Sequence, residues 1–565
     1  MKKHLSLVLL LSTVAGVARG HGDVYSHSFF SMKPHFQINS PEAAMLFRNS
    51  RMEDRENGYG SAFQLVAFGG RSEKENDLAK YFLPWGKSCI DIQEIDTYAP
   101  DDHVNGVYDR DVDARHLNIE TVNGDFKSKV CFAPHHTFFG VALNWKQSLS
   151  CCSDGAVNWF FEVSAPLVHV RNDMHMVETI ENDGGGVVDA IGLDGAPRVG
   201  NATDAFKQPN WKFGKILSTE KDCDSCSENS SSSNCSDCSV RTIRSCGGDS
   251  SCDTNCDSSC ETSCSSNCGD SCKKNHDPYK KTRLADVELR IGKNVVHSNC
   301  CRLDSYAGVV FPTGNKPTGE YLFEAIVGNN KHWGVMWGAN LEMKIFECNS
   351  HLFRLAIDTN TRYLFQNKQN RSFDLFDSPW SRYMEMYENQ AAALAADTAL
   401  DERAGTSGIN IMTQCVKVAP RFSTAINSTI LYNYCQFAME AGYGMFTRQA
   451  EHIDYDWQEN AALKYFSGAG QTTVYRTIDG AAADTSIPVA AVGTVPGYRP
   501  FPSDWLNIAS GTHPSVLLYT LFGSIGYNFD TCYPMFVGIG GSYDFGTSNT
   551  ILNQWKLWGK VGITF

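Results

Sequence analysis

From about residue 126 to its end the chain alternates apolar and polar side chains, the period-two pattern of a strand with two unlike faces. In SVLLYTLFGSIGYNF, Leu517, Tyr519, Leu521, Ile525, Tyr527 and Phe529 share one face; in YPMFVGIGGSYDF, Tyr533, Met535, Val537, Ile539, Tyr543 and Phe545 do the same. HWGVMWGANLEMKIF gathers Trp333, Val335, Trp337, Ala339, Leu341, Met343 and Ile345 opposite Asn340, Glu342 and Lys344. These runs pass ten residues, against about five or six for an average soluble strand, and about ten is what a tilted strand needs to cross a bilayer.

The pattern predicts an all-β fold, a transmembrane antiparallel β-barrel of about fourteen strands (range twelve to sixteen) with long extracellular loops. The fourteen are 126–147, 157–171, 208–219, 283–293, 303–312, 319–328, 331–347, 350–366, 371–385, 409–420, 426–447, 513–529, 531–546 and 551–565; 60–70 and 112–123 would make sixteen. The faces opposite the apolar ones hold Glu162, Glu288, Arg290, Glu320, Glu324, Glu342, Lys344, Arg354, Asp358, Glu440, Asp544, Lys556 and Lys560, which a barrel would turn toward a polar lumen. A soluble sandwich would instead expose them, but aromatics at the strand ends favour the barrel, as girdles at both membrane interfaces.

The N-terminus changes the compartment. MKKHLSLVLLLSTVAGVARG has two lysines, an apolar stretch and small residues at Ala18 and Gly20, so residues 1–20 are expected to be a cleaved signal peptide. No other segment approaches the ~18 apolar residues of a membrane helix. Residues 21–125 are expected to form a periplasmic arm or a plug, with or without the first strands, and 126–565 the barrel. The segment 172–208 fits no strand and either enters the lumen or hides a strand pair.

The last strand, NQWKLWGKVGITF, sets Trp555, Leu557, Val561, Ile563 and Phe565 on one face and ends on a free aromatic carboxylate. It resembles the C-terminal signature strand of Gram-negative outer-membrane proteins, with its usual glycine displaced. That resemblance implies residence in the outer membrane, contact with its lipid, and recognition by the barrel assembly machinery. ADVELRIGKNVVHSNCCRLDSYAGVVFPTGNKPTG is similar to the strand, turn, strand and PTG loop entry of fatty-acid and aromatic-compound transporters. If the last strand ends in the periplasm, parity puts short turns near Asp530, Asn329 to Asn330 and Ser423 to Ala425 on that side. Long loops at 148–156, 220–281, 389–407 and 450–513 then fall outside.

Eleven of the 21 cysteines crowd the loop 220–281: Cys223, Cys226, Cys235, Cys238, Cys246, Cys252, Cys256, Cys260, Cys264, Cys268 and Cys272. A tract of Ser, Asn, Asp and Cys buries no core, and exported thiols default to disulfides. Bridges within the loop, bridges between chains that knit barrels into a coat, and metal binding remain open readings. DRDVDARHLNIE places Asp109, Asp111, Asp113 and Glu120 at calcium-loop spacing, with Ala114 where glycine is required; an acidic surface loop is the plainer reading.

A net charge of −14 argues against nucleic acid as a partner. No nucleophile-elbow, zinc-protease or phosphate-loop motif occurs. His135, His136 and His169 read as strand-end or interfacial residues, so no catalysis is expected. The expected function is passive passage of small solutes through the charged lumen, with mild cation preference. Its rival is a structural or adhesive surface protein in which the barrel anchors a crosslinking loop.

Overall fold

A computed structural model of the chain describes residues 26–44, 60–73, 75–94, 111–149, 159–216, 280–298, 300–376, 379–387, 405–455, 474–476, 498–500, 506–529, 532–546 and 548–565. Twelve long strands close into one barrel: β1 (Ser61–Glu73), β2 (His135–Ser148), β3 (Trp159–Asp173), β4 (Val287–His297), β5 (Cys301–Phe311), β6 (Gly334–Cys348), β7 (His351–Leu364), β8 (Arg421–Tyr434), β9 (Phe437–Arg448), β10 (Val516–Phe529), β11 (Met535–Gly546) and β12 (Asn553–Thr564). Each pairs antiparallel with the next in sequence, and β12 returns to β1, with Ala62 opposite Thr564 and Arg71 opposite Trp555. An even strand number lets this last pair meet antiparallel, so the wall has no free edge.

A thirteenth strand, Lys280–Leu284, precedes β4 and continues its line along β3. It pairs with β3 at Leu167 to Arg171, while Val287 onward pairs with β3 at Trp159 to Ser164. The break falls where Pro166 accepts a bond from the Ala285 amide but has no N–H to return.

The count of twelve is the lower end of the expected range of twelve to sixteen, below the central figure of fourteen. Four of the expected strands, 208–219, 319–328, 371–385 and 409–420, lie in connections, whereas 60–70 is part of β1. The run 426–447 is two strands, β8 and β9, folded at Cys435 and Gln436. Cys435 takes φ +51°, so alternation continued through a tight turn that carries no glycine.

The β2–β3, β4–β5, β6–β7, β8–β9 and β10–β11 connections share one end with the last residues of β12, called here the turn end, while the six-residue β11–β12 connection lies at the opposite, loop end. Asp530 and residues 150–156, expected in a turn and a long loop, lie outside the described residues. Asn329 and Asn330 lie at the opposite, loop end, and Ser423 to Ala425 lie within β8.

At the loop end the long connections fold into a cap. A four-stranded sheet joins Cys89–Gln93, Val112–Asp113, Lys127–Cys131 and Val177–Asn182, with Cys89 and Cys131 at disulfide distance. The cap core gathers Phe30, Tyr81, Phe82, Phe126, Phe206, Trp211, Trp380 and Tyr383. The segment 172–208 contributes here, neither a lumen insertion nor a hidden pair of barrel strands.

The barrel exterior is apolar: Leu65, Phe139, Val141, Leu167, Ile291, Ile430, Met439, Leu521, Ile525, Ile539 and Leu557 are all exposed. Outward aromatics form a band at each end, Trp337, Tyr363, Phe422, Tyr443, Tyr519 and Phe545 toward the loops, Phe63, Trp145, Phe353, Tyr432, Phe437 and Tyr527 toward the turns. On β10 the bands are eight residues apart (Tyr519 to Tyr527), about 26 Å along a strand at ~3.3 Å per residue. That is the girdled apolar belt of a barrel of the outer-membrane type.

Candidate functional site

The barrel interior is lined by polar side chains and occupied by the chain's own N-terminal segment. Residues 26–30 are rooted in the cap: the Arg382 guanidinium donates to the Ser26 carbonyl at 2.7 Å and is held by Asp374, and Phe30 packs edge-on against Tyr81. Burial, aided by nearby Arg382, lowers the His27 pKa to about 4, so the ring is neutral there.

Residues 31–44 then descend inside the wall, meeting a polar partner at nearly every level. Arg448 donates to the Ser31 carbonyl (2.7 Å), Lys33 faces Asp544 (3.4 Å), and His35 meets His136 (3.0 Å). Lower down, the Ile38 amide donates to Glu288 (3.0 Å), Asn427 donates to the Asn39 carbonyl (2.9 Å), and Arg362 donates to the Asn39 side chain (3.2 Å). Lys556 holds both the His35 carbonyl (2.8 Å) and Glu42 (2.7 Å), and Lys560 donates to the Ala44 carbonyl (2.7 Å). Below this plug lies a small polar recess of about 40 Å³, lined among others by Ser40, Arg302, Asp304, Glu342, Arg354 and Asp358.

Of the thirteen charges expected at the lumen, Glu162, Glu288, Arg290, Asp358, Glu440, Asp544, Lys556 and Lys560 are buried on barrel strands. Many are already paired, Glu162 with Arg290 (2.6 Å), Glu288 with Arg362 (2.5 Å) and Glu342 with Arg354 (2.5 Å). Lys344 is exposed near the turn end of β6 and bonded to Glu347 (2.6 Å). Glu320 and Glu324 stand apart, in the 312–333 connection, where Glu324 accepts from the Thr318 amide (2.7 Å). Trp555, Leu557, Val561, Ile563 and Phe565 share the outer face of β12, with Leu557 the most exposed.

The structure does not gather the calcium-loop residues. Asp111 bonds Lys87, Asp113 caps a short 3₁₀ turn and pairs with Arg115, and Glu120 pairs with Arg198. Each carboxylate already faces a cation; Asp109 lies outside the described residues, and among those described no group of three metal-ligating side chains forms. The eleven cysteines of the tract, and Cys151 and Cys152, also lie outside the described residues. His136 is buried against Asn172 (2.6 Å), and His169 points outward to Thr282 (2.7 Å).

Sequence reasoning missed two features of the interior. Arg362 and Arg448 occupy inward positions of β7 and β9, and strand alternation alone could have found them. The second is a set of inward aromatics lying over cross-strand glycines. A Cβ on Gly562 would sit 2.3 Å from the Phe536 ring, one on Gly540 2.6 Å from Trp558, and one on Gly140 2.7 Å from Phe68. These glycines make room for rings that line the wall and, through Phe36 on Phe68, pack the plug.

No protein-family model matches the chain, and no curated protein matches it. Solved structures with a similar course include an outer-membrane channel from Pseudomonas putida F1 (8% identity, 90% of this chain and 96% of that one, TM-score 0.34). A FadL homologue from Pseudomonas aeruginosa follows the chain at 8% identity over 97% of each, TM-score 0.27. The toluene transporter TodX from Pseudomonas putida does so at 8% identity over 96% of each, TM-score 0.26. At such scores the likenesses carry no argument, and the reading rests on the barrel's own geometry.

Proposed function

We propose that this chain is an outer-membrane channel for small polar and charged solutes, closed at rest by residues 31–44 and opened by their displacement. The observation that supports it is the plug itself: its partners are buried charges and amides of the wall, held by bonds that water and a hydrated solute can replace. Behind it the recess is lined by Arg302, Asp304, Glu342, Arg354 and Asp358, which suit a charged or hydrated passenger rather than an apolar one. The assembly machinery would read the outer face of β12 and the terminal Phe565.

Planar-bilayer recording of the mature protein tests this reading. Brief conductance steps with little preference for either charge are expected, because Glu320 and Glu324 lie outside the wall and the inward Arg362 and Arg448 offset the remaining acids. A folded barrel that passes no current in any salt would refute it.

The second reading, a surface protein that uses the barrel as an anchor, is favoured by the same occupied lumen and by the eleven-cysteine tract. Disulfide-linked oligomers that vanish when the tract cysteines become serine would support it.

A further inference from the structure

The described free cysteines are not scattered. Cys300 and Cys301, Cys348, Cys435 and Cys532 stand at four successive turns of the turn end, and Cys415, in a loop-end connection, is the sixth. Free cysteine is ordinarily among the most buried residue types, yet Cys300, Cys348, Cys435 and Cys532 are exposed and Cys301 is half-buried. Cys435 occupies a positive-φ turn position that hairpins usually give to Asn or Gly, so turn formation does not explain it.

Register tells which way two of them face. On β5, Arg302 and Asp304 turn inward, which puts Cys301 on the outer face with Leu303 and Ser305. On β6, Cys348 is opposite His351, whose ring stacks on Tyr434 in the outer aromatic band. None of them is bonded to another within the barrel: all are free thiols, and Cys301, opposite Met343, stands five residues from Cys348 along the neighbouring strand, about 17 Å at ~3.4 Å per residue.

We propose that the turn end is a crosslinking rim through which copies of this chain join side by side in the membrane by disulfides. The occupant is a second copy because one membrane holds every copy at the same depth and in the same orientation, so rims meet rims. Thiols at successive turns face successive directions, so one barrel can bond more than one neighbour. The reaction is thiol–disulfide exchange: a rim thiolate attacks a disulfide donor of the oxidising compartment, and the mixed disulfide is resolved by the neighbour's rim thiol. One intermolecular S–S bond forms, and the donor's S–S bond is reduced to two thiols that take the two protons and two electrons. This assignment is independent of the solute-passage reading and of the cysteine tract.

The test uses the full chain in the outer membrane of a Gram-negative host, trapped with N-ethylmaleimide and run on non-reducing gels. Wild type should give a ladder of multimers of this chain that collapses with dithiothreitol. Changing Cys300, Cys301, Cys348, Cys435 and Cys532 together to serine should abolish the ladder, and serine at the eleven tract cysteines should leave it. A four-serine chain that keeps Cys348 alone of these five should stop at dimers, which tests the proposal should the full set fail to fold. A ladder that survives the five-serine change, an adduct whose mass spectrum shows a different protein, or rim thiols fully alkylated in wild type would each overturn the proposal.

Discussion

Lys556 is the wall residue whose loss should most directly free the plug. Its ammonium donates to Glu42 at 2.7 Å and to the His35 carbonyl at 2.8 Å, and both side chains of the ion pair are almost wholly buried, 6% and 1% exposed. Lys556→Met keeps the volume and removes the charge, stranding the Glu42 carboxylate inside the wall. Removing one partner of a buried pair costs about 3–5 kcal/mol. Glu42 regains water when the plug moves, so the cost falls on the plugged state alone. The ratio of open to plugged barrels should then rise roughly a hundredfold to a few thousandfold, at about 1.4 kcal/mol per factor of ten. Single-channel recording reads this as open-time fraction. The double variant Lys556→Met with Glu42→Gln, which removes the stranded charge, should fall back toward wild type. If folded Lys556→Met barrels open no more often than wild type, the plug is not held by this pair and the reasoning fails.

Glu162→Gln should weaken the wall rather than the plug: it leaves Arg290 without its buried carboxylate partner at 2.6 Å, costing about 3 kcal/mol or more. The heat-modifiable gel band should unfold at lower temperature with open-time unchanged. Gly562→Val should force the Phe536 ring aside and cost about 1–3 kcal/mol as overpacking, and adding Phe536→Ala should recover part of the loss in the same assay. Acid should loosen the cap. Burial holds His27 and His332 at about 4, so stability present above pH 6.5 drains as pH falls toward 4, about 3 kcal/mol each. Glu94 and Glu324, held up by burial, oppose this, and buried His513, held down, adds to it. With three histidines against two carboxylates, proteolysis of the cap should be faster at pH 4.5 than at pH 7; slower cleavage would contradict the assignment.

The wall was legible because a membrane barrel writes its two faces into alternate residues. β10, β11 and β12 could be read residue by residue, and so could the inward run of Asp544, Lys556 and Lys560. Strand number was harder, because period two does not say where a strand lies. Residues 319–328 alternate as cleanly as β11 yet form part of a loop-end connection, with Leu322 and Phe323 in the cap core. Alternation likewise ran unbroken through Cys435, where a two-residue turn needs one residue at positive φ and most often advertises it with Asn or Gly. The plug left the weakest trace. KPHFQINSPEAA has no period, and its position is fixed by wall residues hundreds of positions later, such as Asn427 and Lys556. Local pattern cannot encode such pairings.

The course of that segment also constrains how the barrel could open. Residues 26–30 belong to the cap core, residues 31–44 fill the lumen, and β1 begins at Ser61 at the turn end. The plug is therefore tethered at both ends and cannot leave as a detached body. At the cap root Phe30 packs against Tyr81, Phe323 and His513, and Ser26 and Arg382 are bonded. Sliding toward the turn end must pull Phe30 out of an aromatic core, costing about 1.5–3 kcal/mol in buried surface. Loosening the root lowers that barrier without touching the lumen. Phe30→Ala should accordingly raise the open-time fraction while leaving every wall ion pair in place, and its effect should add to that of Lys556→Met, because the two sites share no partner. An effect that vanished in the Lys556→Met background would mean that the root and the lumen grip release as one step.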